Sequence, residues 1–280
     1  MDERLQRRVQ RYGWDRAAAD YEPLWGAQLA GVQAQLMAQA ALRRGERVID
    51  IACGTGLVAL DAARVVGPTG KVVGVDLSSE MVAAAARRAR DLVVPHASFA
   101  RMDAEQLECP DGGFDVALCA LGLMYLPEPE RALREMRRVL RPDGRMVSAV
   151  WGERAHCGWA DLFVIVQAEV ASEVCPLFFR LGQRDTLARA CIDAGFESVH
   201  TQCVCTTLDY ANADEACEAA FAGGPVALAW SRFDAATRER VCRRYIDSIA
   251  PWRDGEAYRV PGEFVVVSAR APGAQPDQPL

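Results

Sequence analysis

The longest apolar run of this 280-residue chain, VALCALGLMYL at 116–126, is about half of what a bilayer requires, roughly 20 residues, so no integral membrane segment is expected. The first residues carry charges throughout and hold no apolar stretch of the kind a secretory signal needs. No C-x-x-C pair occurs. The one close cysteine pair, Cys203 and Cys205, has strand spacing that sets both on one face, and no metal site is expected. The ten cysteines are scattered over strand-like and helix-like segments of a chain far larger than a disulfide scaffold, so free thiols and a cytoplasmic location are expected. Positive charge is not in surplus either. With 32 Lys and Arg against 38 Asp and Glu, the net charge is −6, which argues against a nucleic-acid backbone as partner. The arginine-rich stretches RLQRRVQR (4–11) and REMRRVLR (134–141) read as solvated helix faces. There are only three histidines, and no internal repeat is visible.

What is present is a 51% hydrophobic composition, ample for a packed core, and a regular alternation of strand-like and helix-like segments. From Arg47 onward come RVIDIA, a helix over 57–66, KVVGVDL, a helix SSEMVAAAARRARDL capped by Ser78 or Ser79, ASFARM, FDVALCAL, a helix PEPERALREMRRVL, a turn RPDG and a strand RMVSAVW. This βαβ rhythm predicts an α/β, doubly wound, mainly parallel sheet. The rhythm changes after Trp151. A loop runs to Gly158, then an apolar segment WADLFVIVQAEVAS, a helix ending at Gly195, and two strands, FESVHTQCVCTTLDY and EFVVVSAR, separated by some fifty residues of helical pattern. An insertion of that length reads as a lid or substrate-lining element. The expected organisation is a helical cap at 1–44, a main domain at 45–271 with helical insertions near 153–182 and 211–260, and a disordered tail at 272–280. The cap carries Tyr12, Trp14, Tyr21 and Trp25, aromatics that either pack on the core or cover a ligand.

The segment VIDIACGTGLVAL (48–60) places a carboxylate, Asp50, inside an apolar strand just ahead of a glycine turn. The run Gly54-Thr55-Gly56-Leu57-Val58-Ala59 satisfies G-x-G-x-x-A, and Asp76 ends the next strand about 20 residues on, as a nucleoside site requires. A carboxylate facing the turn repels a pyrophosphate and suits an ammonium or sulfonium charge. S-adenosylmethionine has both charges and the ribose. After the third strand, RMDAEQL offers Asp103 to an adenine amine and the backbone of Ala104 to a ring nitrogen.

The order VIDIACGTG, VVGVDLSSEMV, RMDAEQL and FDVALCALGLMYLPEPERALREMRRVLRPDGRMVSAVW resembles the class I S-adenosylmethionine-dependent methyltransferases, within them the ubiquinone and menaquinone C-methyltransferase branch. The resemblance covers about 45–152. It implies a Rossmann-like seven-stranded sheet with EFVVVSAR as the antiparallel strand, and S-adenosylhomocysteine as product. It also implies a cofactor set: Asp50, Ala52, Gly54 and Gly56 around the methionine end, Asp76 on the ribose, Leu77 and Met81 against adenine, Asp103 and Ala104 at its edge, Ala120 and Leu121 near the reactive methyl.

In-line displacement from a sulfonium relies mainly on positioning, so a general base is needed only where the acceptor must lose a proton. His156, in the loop after the fifth strand, is the first candidate and Tyr21 the second; His96 and His200 read as structural. The expected acceptor wall is Leu123, Met124, Tyr125, Trp151, Trp159, Phe178, Phe179 and Trp230, suited to an aromatic or lipophilic small molecule methylated at carbon, oxygen or nitrogen. A homodimer fits equally well with a monomer. Three other readings stay open: a nicotinamide-dependent oxidoreductase from the glycine motif, thiol-assisted arsenite methylation through Cys157, Cys175 and Cys203 or Cys205, and a non-catalytic module that keeps the cofactor pocket for regulation.

Overall fold

The computed structural model describes residues 3–170, 175 and 177–273. The two amino-terminal helices are α1 (Glu3–Ala17) and α2 (Tyr21–Ala40). The sheet region then follows as β1 (Arg47–Ile51), α3 (Leu57–Val66), β2 (Lys71–Asp76), α4 (Ser79–Asp91), β3 (Ala97–Arg101), β4 (Phe114–Ala120), α5 (Pro129–Val139) and β5 (Leu140–Trp151). Beyond it lie α6 (Leu162–Gln167), α7 (Thr186–Asp193), β6 (Glu197–Tyr210), α8 (Ala213–Phe221), α9 (Ala227–Trp230), α10 (Ala235–Ile249), the two-residue β7 (Arg253–Asp254) and β8 (Ala257–Arg270).

The strands pair in the order β3-β2-β1-β4-β5-β8-β6, with β7 pairing only to β8. All pairs from β3 across to β5 are parallel, whereas β8 is antiparallel to both β5 and β6. This is the mainly parallel sheet that the alternation implied, and EFVVVSAR, within β8, is the antiparallel strand that the resemblance implied. β1 lies inside the sheet between β2 and β4, and its Val48, Ile49 and Ile51 are fully buried. The chain winds outward from β1 to β3, then restarts on the other side of β1 with β4. The crevice between the carboxyl ends of β1 and β4 is therefore the switch point where open α/β sheets bind ligands.

Local chemistry sets the element ends. Ser78 caps α4 by accepting the Met81 N–H, and Gly195, with φ +87°, follows α7. The RPDG turn lies within the span of β5: the register against β4 jumps from Phe114↔Leu140 to Val116↔Arg145, and Asp143 takes φ 59°, so the turn residues form a bulge instead of separating two elements. Helix α2 buries Trp25, Leu29, Val32, Leu36 and Ala40 along one stripe. Of WADLFVIVQAEVAS, only Leu162–Gln167 is α-helical, and its last two residues, with the tail from residue 274, lie outside the described residues. Among the described residues, no helix is long and apolar enough to cross a membrane.

The arginine stretches depart from the solvated-face expectation at one position each. Arg7 turns inward from α1 to Asp103 (3.3 Å), to Glu105 at close range and to Glu128 (4.0 Å). Arg138 is a hub that donates to the carbonyls of Leu107 and Cys109 (2.8 Å each) and to Glu135 and Asp111.

Candidate active site

The site begins at two strained backbone positions. Ala52, just past β1, and Leu121, just past β4, both adopt left-handed φ values, 54° and 63°, that side chains with a Cβ rarely take. Both line the crevice. The two loops approach so closely that a Cβ on Gly122 would lie 2.5 Å from the Ala52 Cβ and 2.9 Å from the Cys119 Sγ. Gly56, at φ 82°, opens α3 against Ala85 and Phe99 and supports the loop from behind.

The cleft at this switch point encloses about 770 Å³ of empty space, its open mouth included. Its floor is Ala52, Gly54, Val75, Asp76, Ala120 and Leu121; Leu77, Met81, Met102, Asp103 and Ala104 line one end, and Arg7, Gln10, Trp14 and Tyr21 roof it from α1 and α2. An adjoining recess of about 280 Å³ is bordered by Asp50, Ala52, Cys53, Gly54, Ala120 and Tyr21. Thirteen of the residues singled out from the motifs, the wall and the cap thus converge here: Asp50, Ala52, Gly54, Asp76, Leu77, Met81, Asp103, Ala104, Ala120, Leu121, Trp14, Tyr21 and Tyr125.

Asp50 is 1% exposed, and neither carboxylate oxygen has a hydrogen-bond partner among the described residues. Burial, then the charge of Asp76, push its pKa up to about 8; the Ala59 N–H in the first turn of α3 lowers it only slightly and does not close a hydrogen bond. An orphaned buried acid beside a recess is what a ligand cation would complete. Asp76 is held differently. Its Oδ2 accepts the Gly54 N–H at 2.9 Å and its Oδ1 the Ser78 N–H at 2.8 Å, so the carboxylate is fixed while each oxygen keeps lone-pair capacity toward the cleft. Burial raises the Asp76 pKa against the lowering by these bonds. Asp103 accepts the Glu105 N–H at 2.9 Å and faces Arg7. Helix α1 is fastened again through Asp15, which accepts from the Ser78 hydroxyl at 2.6 Å and from the Glu80 N–H at 3.2 Å. Acidic and nucleoside-sized, this cleft has the acceptor set for a molecule with a cationic end, a ribose and an adenine.

Behind Tyr21 and Trp14 a second space of about 430 Å³ opens, sharing Leu121 and Tyr125 with the cleft. Successive ring centroids surround it: Tyr21 to Trp14 5.7 Å, Trp14 to Tyr125 5.0 Å, Tyr125 to Phe178 5.4 Å, Phe178 to Trp159 5.6 Å, Trp159 to Trp151 4.8 Å and Trp151 to Trp25 6.3 Å. Met124 completes the wall with Leu29, Leu162 and Gly223, Gly224 and Pro225 ahead of α9.

Four expected wall or catalytic residues are placed elsewhere. Leu123 is fully buried in the core and lines neither space. His156 sits on an exposed turn with its Nδ1 3.0 Å from Glu263 Oε1, which raises its pKa, and it lines neither space. Trp230 stacks on Phe221 at 5.0 Å under the Arg238 guanidinium. Phe179 packs behind the wall against Trp159, Phe163 and Phe178. Tyr21 borders the cleft, the recess and the chamber, yet burial and the charges of Asp76 and Asp50 raise its pKa, so it is not a base near neutral pH. Of the residues that composition and spacing overlooked, Arg7 was hidden in a charged repeat, whereas Gly122 and Gly223–Pro225 have no local signature at all. Trp14, named among the cap aromatics, lines the cleft.

The comparisons with known proteins agree with this geometry. A family model described as a methyltransferase domain matches residues 48–144. The ubiquinone/menaquinone biosynthesis C-methyltransferase UbiE of Pseudomonas syringae pv. tomato is 32% identical over 173 residues, which cover 56% of this chain and 68% of that one. In fold, the chain is similar to the YcgJ protein of Bacillus subtilis (TM-score 0.61, 18% identity, 88% and 100% of the two chains). It is also similar to the cyclase SpnF (TM-score 0.59, 24% identity, 87% and 81%). With the sheet order, the orphaned Asp50 and these matches together, the chain belongs to the class I S-adenosylmethionine-dependent methyltransferases.

Proposed function

We propose that this methyltransferase acts on a small, flat, apolar acceptor, aromatic or lipophilic, held in the aromatic chamber. The observation that supports this is the continuity of the chamber with the cofactor cleft: Trp14, Tyr21, Leu121 and Tyr125 wall both, so an acceptor among the rings lies next to the floor of the cleft. In this reading Asp50, Ala52 and Gly54 surround the methionine end while Gly56 shapes the loop from behind, Asp76 holds the ribose, Leu77 and Met81 flank adenine, Asp103 and Ala104 meet its edge, and Ala120 and Leu121 lie near the methyl. When bound, the cofactor supplies a methyl on a sulfonium, whose leaving thioether is neutral.

The protein supplies position, dryness and electrostatics. Asp50 neutralises cationic charge at the methionine end. The closed aromatic wall excludes water, and ring faces favour a positive methyl group. Among the described residues, the chamber's only titratable side chains are Tyr21 and Tyr125, and burial raises both pKa values. No protein base stands there near pH 7. The chamber therefore suits an acceptor whose nucleophile is available before transfer, such as a phenolate, the electron-rich ring carbon beside one, or a neutral amine. The name of the UbiE relatives points to ring-carbon methylation in quinone biosynthesis, which is compatible with such a chamber.

The test is a turnover panel of naphthols, hydroquinones and aromatic amines against phosphoethanolamine, read as S-adenosylhomocysteine formed. Turnover confined to the uncharged aromatics is expected; preference for phosphoethanolamine would overturn the reading.

A further inference from the structure

Trp159 is 3% exposed, walls the aromatic chamber, and its Nε1–H has no hydrogen-bond partner among the described residues. Buried indoles normally satisfy that donor. The other deeply buried indole of the wall whose donor is accounted for, Trp25, does so: its Nε1–H donates to the Ala219 carbonyl at 3.0 Å. Trp159 packs instead against four rings, Trp151 at 4.8 Å, Phe178 at 5.6 Å, Phe179 at 5.7 Å and Phe163 at 5.9 Å. Ring carbons offer the indole N–H no strong acceptor. A buried N–H left unpaired is destabilising, and a phenylalanine at 159 would have filled much of the same apolar space without that cost.

We propose that Trp159 is the specificity-determining donor of the acceptor chamber: its indole N–H reads an oxygen of the acceptor, a carbonyl, phenolate or enolate. The proposal rests on the chamber being the acceptor site. It divides the acceptors that an aromatic box would otherwise take alike. A hydrocarbon of the same shape leaves the donor unpaired, and a protonated amine meets an N–H that it cannot accept from. An oxygen acceptor ends the deficit and, if anionic, is stabilised in a space with no competing water.

The experiment uses three probes of one bicyclic skeleton, 1-tetralone, tetralin and 1-aminotetralin, titrated calorimetrically into the full chain saturated with S-adenosylhomocysteine. Transfer from water alone favours the hydrocarbon, so a preference for the ketone has to come from a donor. The expected result is that tetralone binds about tenfold tighter than tetralin, that Trp159→Phe abolishes this preference, and that S-adenosylhomocysteine affinity stays unchanged in the variant. In the unaltered chain, one of the six tryptophan indole proton resonances should also move downfield with tetralone and stay in place with tetralin. That spectrum stands even if the variant does not fold. Equal or weaker binding of the ketone, absence of ketone binding, or tightest binding of the amine would each overturn the proposal. The reading beneath it fails differently, by absence of S-adenosylhomocysteine binding at the outset.

Discussion

If Asp50 faces the cofactor cation, as proposed, cofactor binding is a proton-release reaction. In the ligand-free protein its pKa stands at about 8, because the carboxylate is buried, faces the charge of Asp76 and has no hydrogen-bond partner among the described residues. At pH 7 the group is therefore roughly nine-tenths protonated, and a cofactor cation that restores the ordinary carboxylate range expels roughly 0.9 proton on binding. The apparent affinity for S-adenosylmethionine should rise about 50-fold between pH 6 and pH 8 and level off above that. Calorimetry at pH 7 in two buffers of different ionisation enthalpy reads the proton directly. Asp50→Asn is the reference, since it removes this release while the cofactor's own amino titration remains in both proteins. The stability of the free protein carries the same signature with the opposite sign. Because the folded pKa lies above the unfolded one, the stabilising contribution is complete below about pH 4 and is lost as pH rises toward 8. The melting temperature of the free chain should fall over that window relative to D50N, and cofactor should recover it. A wild-type titration with no more proton release than D50N, and the same pH dependence of affinity, would refute the reasoning.

Other consequences of the site are equally direct. Arg7→Ala removes the charged partner of the buried Glu105, leaving it only the Glu128 N–H among the described residues, and should destabilise the fold by about 1–3 kcal/mol, with faster amide exchange confined first to α1 and a higher cofactor off-rate by stopped flow. Gly122→Ala forces a Cβ into contact with Ala52 and Cys119; a loss of about 1–3 kcal/mol by denaturant titration is expected, together with weaker cofactor binding because the two loops that floor the cleft must part. His156→Ala should leave turnover within about twofold, since a base must stand within hydrogen-bond reach of its proton and His156 is exposed and paired with Glu263; a hundredfold loss would return it to the mechanism.

Sequence by itself determined the parts of this protein whose physics is local. The alternation of apolar strands with amphipathic helices specified the parallel sheet, Gly54 and Gly56 marked the turn that a ligand approaches, and Asp50 within a buried strand announced a cationic partner, because an isolated carboxylate there is intolerable otherwise. These residues lie within a few positions of one another, so their spacing conveys their geometry. Tertiary structure decided what depends on distant segments meeting. Nothing in RLQRRVQR distinguishes Arg7 from its neighbours until α1 folds over Asp103 and Glu105, 96 and 98 residues away by subtraction of their numbers. His156 looked well placed after the fifth strand, but β8 inserts beside β5 and brings Glu263 to it, which holds the ring at the surface. Likewise, seven aromatics drawn from α1, α2, the ends of β4 and β5 and the following insertion become one chamber only when the sheet and its helical roof close, and that closure leaves the Trp159 N–H unpaired. Apolar pattern sets which side chains are buried; only the packed chain decides which of them face each other.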